Sequence, residues 1–273
     1  MKQFVKWVGS KKQLLSEIDA RLPKEFNRYF EPFVGGGSVF MHLEYSDIVI
    51  NDFNRELINC YEQIRDNPIL LIRELSLLDD IEYSKDIYYD KRDEFNQKIM
   101  LAEHDVKMAA LFIYLNKHAW NGVYRVNNKG GFNVPWNQKL DKIKSFDEQN
   151  ILEISDYLRY NDVNILCSDF ESALGGAASG DFVFLDPPYI PVSKTANFTD
   201  YQKSGFSKEN HERVARVMKD LDSKGVYVMA CNNNVPEVYK LYKGFNIESV
   251  DVRRSINRNG NDRKGKEVLI TNY

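Results

Sequence analysis

A carboxylate, two prolines and a tyrosine, Asp186-Pro187-Pro188-Tyr189, close an apolar run over residues 182–185. Such a run suits a parallel strand covered on both faces. Pro187 and Pro188 donate no backbone hydrogen bonds, so the strand ladder ends there. Asp186 and Tyr189 are thereby placed at the carboxyl end of a strand, where open α/β sheets put their chemistry. The plain alternative is a strand followed by a proline turn with an incidental acid.

A second set of residues could hold a ligand for that chemistry. In Phe33-Val34-Gly35-Gly36-Gly37, a short strand runs into a glycine turn and then a helix. Glycines let a ligand approach the backbone and allow positive φ. The spacing is not the dinucleotide fingerprint, and no phosphate-loop lysine and hydroxyl follow, so the loop alone reads equally as ligand site or turn. The next strand, over 48–51, ends at Asp52, placed to bind ribose hydroxyls or to cap the helix expected over 55–65. Ahead of both, Trp7-Val8-Gly9-Ser10-Lys11 leads through a tight Gly9-Ser10 turn into a first helix running to about Ala20. That helix start is either an anion site or a capped helix with surface lysines.

The elements that position these groups alternate strand and helix. Strands are expected over 164–168, 182–185, 226–230, 247–252 and 268–271, with helices over 148–160, 207–223 and 235–242. Residues 59–160 interrupt this pattern with helices expected over 68–78, 83–100 and 106–117. The fold class is therefore α/β, with residues 1–58 and 161–273 forming one sheet and 59–160 a mostly helical insertion. Polar loops are expected over 190–207, beside the strand end, and over 253–266, between the closing strands.

After the helix expected over 106–117, the insertion becomes rich in Asn, Gly, aromatics and cations over 116–136. Residues 123–126 and 132–134 flank a Gly-containing turn, the pattern of a β-hairpin. Amides and arginines reach base edges, and aromatics stack or wedge, so this stretch reads as a nucleic-acid reader rather than an ordinary loop.

Whole-chain properties narrow the classes. The 273 residues carry a formal charge of −3, but basic residues gather over 2–12, 117–144 and 253–266, offset by an acidic stretch over 74–105. A net charge can hide a basic face. No apolar run is long enough for a membrane span, and the first residues lack the apolar core of a signal peptide. Cys60, Cys167 and Cys231 are widely spaced without a metal-type pattern, which reads as buried reduced thiols in a cytoplasmic protein with no metal site.

Taken together, Lys6-Trp7-Val8-Gly9-Ser10-Lys11, the Phe33–Gly37 loop, Asn121-Gly122-Val123-Tyr124-Arg125 and Asp186-Pro187-Pro188-Tyr189 resemble the Dam-type DNA adenine-N6 methyltransferases of the α class. Their order matches too: donor motif, target-recognition insertion, catalytic tetrapeptide. The resemblance implies a Rossmann-like methyltransferase sheet, S-adenosyl-L-methionine as donor and duplex DNA, with GATC as target. It implies donor contacts from Trp7, Lys11, Phe33, Gly35, Gly36, Gly37, Asp52, Asp169, Phe170 and Asp186. Catalysis falls to Asp186, Pro187, Pro188 and Tyr189, and DNA contacts to Lys6, Trp120, Asn121, Val123, Arg125, Asn127 and Pro135. Trp120 stands where the family carries a Tyr that enters the opened duplex. Ser10 replaces a common Gly, and Lys117-His118-Ala119-Trp120 departs from the usual Arg-x-Gly-Tyr. A partner restriction nuclease fits the same resemblance.

Under that resemblance the tetrapeptide acquires a role. Adenine's amino group is a poor nucleophile because its lone pair is delocalised into the ring. Asp186 and the Pro187 carbonyl can accept its two hydrogens, and Tyr189 can stack on a base flipped from the duplex. Competing expectations are a cytosine-N4 methyltransferase, an RNA adenine methyltransferase and a DNA-binding relative without catalysis.

Overall fold

The computed structural model describes residues 1–138, 143–191, 206–253 and 264–273. In chain order its helices are α1 (Leu15–Asp19), α2 (Phe40–Leu43), α3 (Arg55–Asp66), α4 (Pro68–Asp80), α5 (Lys85–Leu101), α6 (Val106–His118), α7 (Glu148–Tyr160), α8 (Phe170–Ala173), α9 (Lys208–Ser223) and α10 (Pro236–Leu241). The strands are β1 (Tyr29–Glu31), β2 (Ile48–Asn51), β3 (Val163–Leu166), β4 (Phe182–Leu185), β5 (Tyr227–Asn233), β6 (Asn246–Arg253) and β7 (Lys264–Thr271). They order as β3-β2-β1-β4-β5-β7-β6 in one sheet. This is the expected Rossmann-like α/β architecture, parallel at its centre and closed by an antiparallel pair.

The chain divides into two compact units. One comprises Met1–Lys11, Val34–Ser46 and Asp52–Cys167, the other Lys12–Phe33, Asp47–Asn51 and Ser168–Tyr273.

In the second unit, β1 pairs in parallel with both β2 and β4, Tyr29 facing Ile48 on one side and Phe182 on the other. β2, the earlier strand on one side, and β4, the later strand on the other, make β1/β4 the point where strand order reverses. Ligands bind at the carboxyl ends of strands at such a switch point. Every residue of β1, β2 and β4 is buried, which explains why the strands are apolar up to the Glu31 and Asn51 that end β1 and β2. β7 runs antiparallel to β5 with Asn233 opposite Glu267, and antiparallel to β6.

In the first unit, α6 is the hub. Its residues from Met108 to Asn116 are all buried, so it is apolar all round rather than on one stripe. Asp105 caps it by accepting from the Met108 N–H at 2.8 Å. Asn54 and Asp147 cap α3 and α7 in the same way. The buried stripe of α3, Leu57, Ile58, Tyr61 and Ile64, follows helical spacing.

Several expectations need correction. The first helix is broken into a 3-10 turn, Lys11–Gln13, and the short α1, and Lys11 is buried rather than a surface lysine. Asp52 does not cap α3; Asn54 does, because its side-chain oxygen meets the Leu57 N–H at 2.8 Å. The hairpin over 123–134 has no ladder. It is closed by one isolated antiparallel bridge, Val126–Phe132, with the Asn127 N–H donating to the Gly131 carbonyl at 2.8 Å and the Asn133 N–H to the Arg125 carbonyl at 3.0 Å; a second bridge, Ala119–Trp136, lies just outside it. β5 and β7 extend beyond their expected limits, so 264–266, expected in a loop, are strand. Cys167 is exposed, unlike the buried Cys60 and Cys231. Of the loops expected over 190–207 and 253–266, residues 192–205 and 254–263 lie outside the described residues, as do Lys139 and Lys142 of the basic stretch.

Candidate active site and nucleic-acid interface

β4 delivers Asp186 to the switch point as its first residue past the ladder, with Pro187 buried and Pro188 exposed. The Tyr189 hydroxyl donates to Glu267 Oε2 on β7 at 2.8 Å. Burial, with Asp186 and further negative groups nearby, holds the Tyr189 phenol well above its ordinary pKa, so it stays protonated and donating. The next residue is held at both main-chain groups. The Ile190 N–H donates to Asn232 Oδ1 at 3.0 Å, and Asn233 Nδ2 donates to the Ile190 carbonyl at 2.7 Å. Sequence pattern alone did not mark Glu267, Asn232 or Asn233. The run Asn232-Asn233-Asn234 at the end of an apolar strand was the available signal.

At the neighbouring strand end, Phe33 follows β1 and packs on Phe170, ring centroids 5.1 Å apart, with Phe206 edge-on to Phe33 at 5.9 Å. Asp169 caps α8 by accepting the Glu171 N–H at 3.0 Å, and the same oxygen accepts from Arg213 Nη2 at 2.8 Å. Arg213 also lies over the Phe170 ring, 4.8 Å from its centroid. One oxygen of Asp169 is thus occupied twice, and its side chain is 40% exposed.

In the other unit, the glycine loop packs against the Trp7 indole. A Cβ on Gly35 would stand 2.6 Å from Trp7 Cδ1, and one on Gly36 would stand 2.9 Å from Trp7 Cβ. Gly35 and Gly37 have positive φ, 49° and 74°, so any other residue at either is strained. Asp52 ties this loop down: Oδ2 accepts the Gly35 N–H at 3.0 Å and Oδ1 the Asn54 N–H at 2.9 Å. Burial raises the Asp52 pKa, partly offset by backbone amides that bond the carboxylate. A carboxylate has about four acceptor sites, so capacity remains for a ligand's hydroxyls. Lys11 folds back to donate to the Gly9 carbonyl at 2.5 Å, and its N–H donates to Ser38 Oγ at 3.0 Å. Phe53, next to Asp52, is 84% exposed, an unusual position for a large aromatic that sequence pattern did not single out.

The same unit carries the residues expected to contact DNA. Trp120, Asn121, Arg125, Asn127 and Pro135 are exposed, and Val123 is half-buried. Asn121 and Gly122 both have positive φ, 56° and 64°, which turns the chain sharply between Trp120 and Val123. The Trp120 N–H donates to the Pro135 carbonyl at 2.9 Å, bringing those two positions together. Lys6 packs its aliphatic stem where a Gly122 side chain would stand, Cβ to Cβ 2.8 Å, so Lys6 joins the same face. Arg125 Nε donates to Asn133 Oδ1 at 2.7 Å and Nη2 to the Asn133 carbonyl at 3.4 Å, and the exposed guanidinium has further donors beyond these. Asn127 has a structural task besides any contact: its Oδ1 accepts the Lys129 and Gly131 N–H groups and closes the turn. Behind this face, Tyr124 stacks on Trp7 at 5.8 Å and on Phe112 of α6 at 5.2 Å.

Among the described residues no cluster of three or more His, Cys, Asp or Glu side chains could hold a metal ion, and no helix is long and apolar enough to cross a membrane.

Residues 7–256 match the family described as D12 class N6 adenine-specific DNA methyltransferase. The chain is 43% identical over its whole length to the type II methyltransferase M1.LlaDCHI of Lactococcus lactis subsp. cremoris, covering 96% of that protein. It is 42% identical, again over its whole length, to the type II methyltransferase M.MjaIII of Methanocaldococcus jannaschii, covering 99% of that protein. The DNA adenine methylase of Escherichia coli (strain K12) is 32% identical over 99% of this chain and 94% of its own.

Proposed function

The chain belongs to the D12 class N6 adenine-specific DNA methyltransferases, and on that basis we propose that it methylates the adenine of GATC in duplex DNA, using S-adenosyl-L-methionine and the strand-end tetrapeptide. The donor, when bound, supplies an electrophilic sulfonium methyl.

The residues fit such a donor. A glycine loop with no room for side chains lies against the Trp7 ring, and the Asp52 carboxylate keeps acceptor capacity for ribose hydroxyls. Trp7, Lys11, Gly35, Gly36, Gly37 and Asp52 carry this assignment. Phe33 and Phe170 offer apolar faces, and the second oxygen of Asp169 offers an acceptor for an amino group. The target base meets Asp186 and the Pro187 carbonyl as acceptors for its N6 hydrogens, which draws the nitrogen lone pair toward the methyl. Tyr189 stacks on the base, and Pro188 stiffens the turn, so little reorganisation precedes reaction. Asp186 aims the amino group and need not remove a proton first, because N6 becomes acidic once methylated.

Residues 59–160 act as the target-recognition region, with Lys6, Trp120, Asn121, Val123, Arg125, Asn127 and Pro135 contacting DNA. Arg125 reads a base edge, and Trp120 enters the space that the flipped base leaves. Two of the relatives are named type II methyltransferases, which favours a partner restriction nuclease that cuts the same sequence. The single observation that carries the catalytic reading is the position of Asp186 beside the end of β1 at the strand-order reversal. The test is Asp186→Ala, expected to abolish methyl transfer while donor binding remains measurable by calorimetry; an active variant overturns the assignment. Sequencing of methylated DNA from expressing cells tests the base and GATC together.

A further inference from the structure

β7 runs antiparallel to β5 and brings one acid to the tetrapeptide. Glu267 stands opposite Asn233 across the β5/β7 pair, and directly opposed residues project to the same face. From that face the two side chains hold consecutive residues: Glu267 Oε2 accepts the Tyr189 hydroxyl at 2.8 Å, and Asn233 Nδ2 donates to the Ile190 carbonyl at 2.7 Å. From β5's other face the fully buried Asn232 accepts the Ile190 N–H at 3.0 Å. Bonds at the hydroxyl and at the backbone just after it keep the Tyr189 side chain from swinging to another position.

We propose that Glu267 is a positioning residue for methyl transfer, fixing the Tyr189 ring as a pre-set stacking surface for the flipped adenine, with Asn232 and Asn233 holding the backbone behind it. The proposal rests on the reading of Tyr189 as the residue that stacks on the base. A hydroxyl bonded to a carboxylate is held more strongly than one bonded to a neutral acceptor, so the ring position survives the approach of DNA. The antiparallel register is what makes this contact: it sets Glu267 across from the last residue of β5, beside the end of β4 where the tetrapeptide begins. Ordering the stacking surface before the base arrives removes a reorganisation step from the reaction.

The test is a double-mutant cycle on the full chain with a duplex containing the target site. Tyr189→Phe keeps the ring and removes the hydroxyl; Glu267→Ala removes the acceptor; Glu267→Gln keeps an acceptor without charge. Single-turnover methyl transfer at saturating donor and DNA should fall about tenfold in Glu267→Ala and recover most of its rate in Glu267→Gln. In the Tyr189→Phe background, Glu267→Ala should cause no further slowing. A duplex with 2-aminopurine at the target should fluoresce more strongly when bound to Glu267→Ala, because the flipped base stacks less well, while donor affinity by calorimetry stays unchanged. Additive losses in the cycle, or losses that track thermal melting alone, overturn the proposal. If Glu267→Ala fails to fold, the cycle is run with Glu267→Leu, which removes the acceptor but keeps the volume, and any slowing that is additive with Tyr189→Phe counts against it. Product analysis of the wild type separates the two failures: N6-methyladenine with an uncoupled cycle sinks only the role of Glu267, whereas another product sinks the underlying reading.

Discussion

Asn116 holds Lys6 by both of its main-chain groups: its Oδ1 accepts the Lys6 N–H at 2.8 Å and its Nδ2 donates to the Lys6 carbonyl at 2.9 Å. The same Nδ2 donates to the Gly122 carbonyl at 3.0 Å. One buried amide on α6 therefore joins the segment that presents Trp7 to the turn that presents Trp120 and Asn121. Three main-chain groups would lose their partner in Asn116→Ala. Chemical denaturation should show a loss of about 2–4 kcal/mol, the scale of buried polar groups left unpaired. DNA affinity should fall with it, and an unchanged midpoint would show that water replaces the amide.

The glycine loop offers a sharper contrast. Gly35→Ala places a methyl 2.6 Å from the Trp7 ring and Gly37→Ala places one against Phe40 and Tyr61, both at positive φ. Each should weaken donor binding about tenfold or more by calorimetry. Gly35→Ala should also shift the fluorescence of Trp7, which Gly37→Ala should leave nearer to wild type. Full donor affinity in both would remove the loop from the donor site.

Arg125 reaches outward from a turn that Asn133 braces at 2.7 Å. Arg125→Ala should relax sequence preference by about 1–3 kcal/mol at one base pair, measured as transfer rates on duplexes with single substitutions. A loss equal for every sequence, with a shallower salt dependence, would make it a phosphate contact instead.

His211 on α9 is buried, and burial pushes its pKa down to about 4 from the ordinary 6.5. The neutral form is the folded form, so the unfolded chain binds the extra proton between those values. Stability from this group is complete above about pH 6.5 and is lost as pH falls toward 4. The loss from pH 7 to pH 5 should be about 2 kcal/mol greater in the wild type than in His211→Leu, read from denaturation midpoints at the two pH values. Parallel pH profiles would place the titration elsewhere.

The order of strands and helices was legible in the sequence because each buried strand is a short apolar run and each long helix carries a stripe or a cap. The Phe182–Leu185 run and the prolines after it marked a strand end from local chemistry alone. The glycines before α2 marked a close approach, although only packing revealed that Trp7 is what approaches. Local pattern went wrong where a tertiary contact competed with it. The cap of α3 falls to Asn54, directly before Arg55, while Asp52 holds the Gly35 N–H, and the hairpin closes on the isolated Val126–Phe132 bridge alone.

Residue type and near spacing settle the chemistry available to this chain: an acceptor set stiffened by two prolines, an acid after the second strand, and a turn rich in amides, aromatics and cations. All of these can be read along the chain without folding it. Which distant groups hold them in place follows from the folded chain alone. Glu267 lies 78 residues from Tyr189, and Asn116 lies 110 from Lys6. No periodicity links positions so far apart. Strand register in one case and burial of an apolar helix in the other bring them within hydrogen-bond reach.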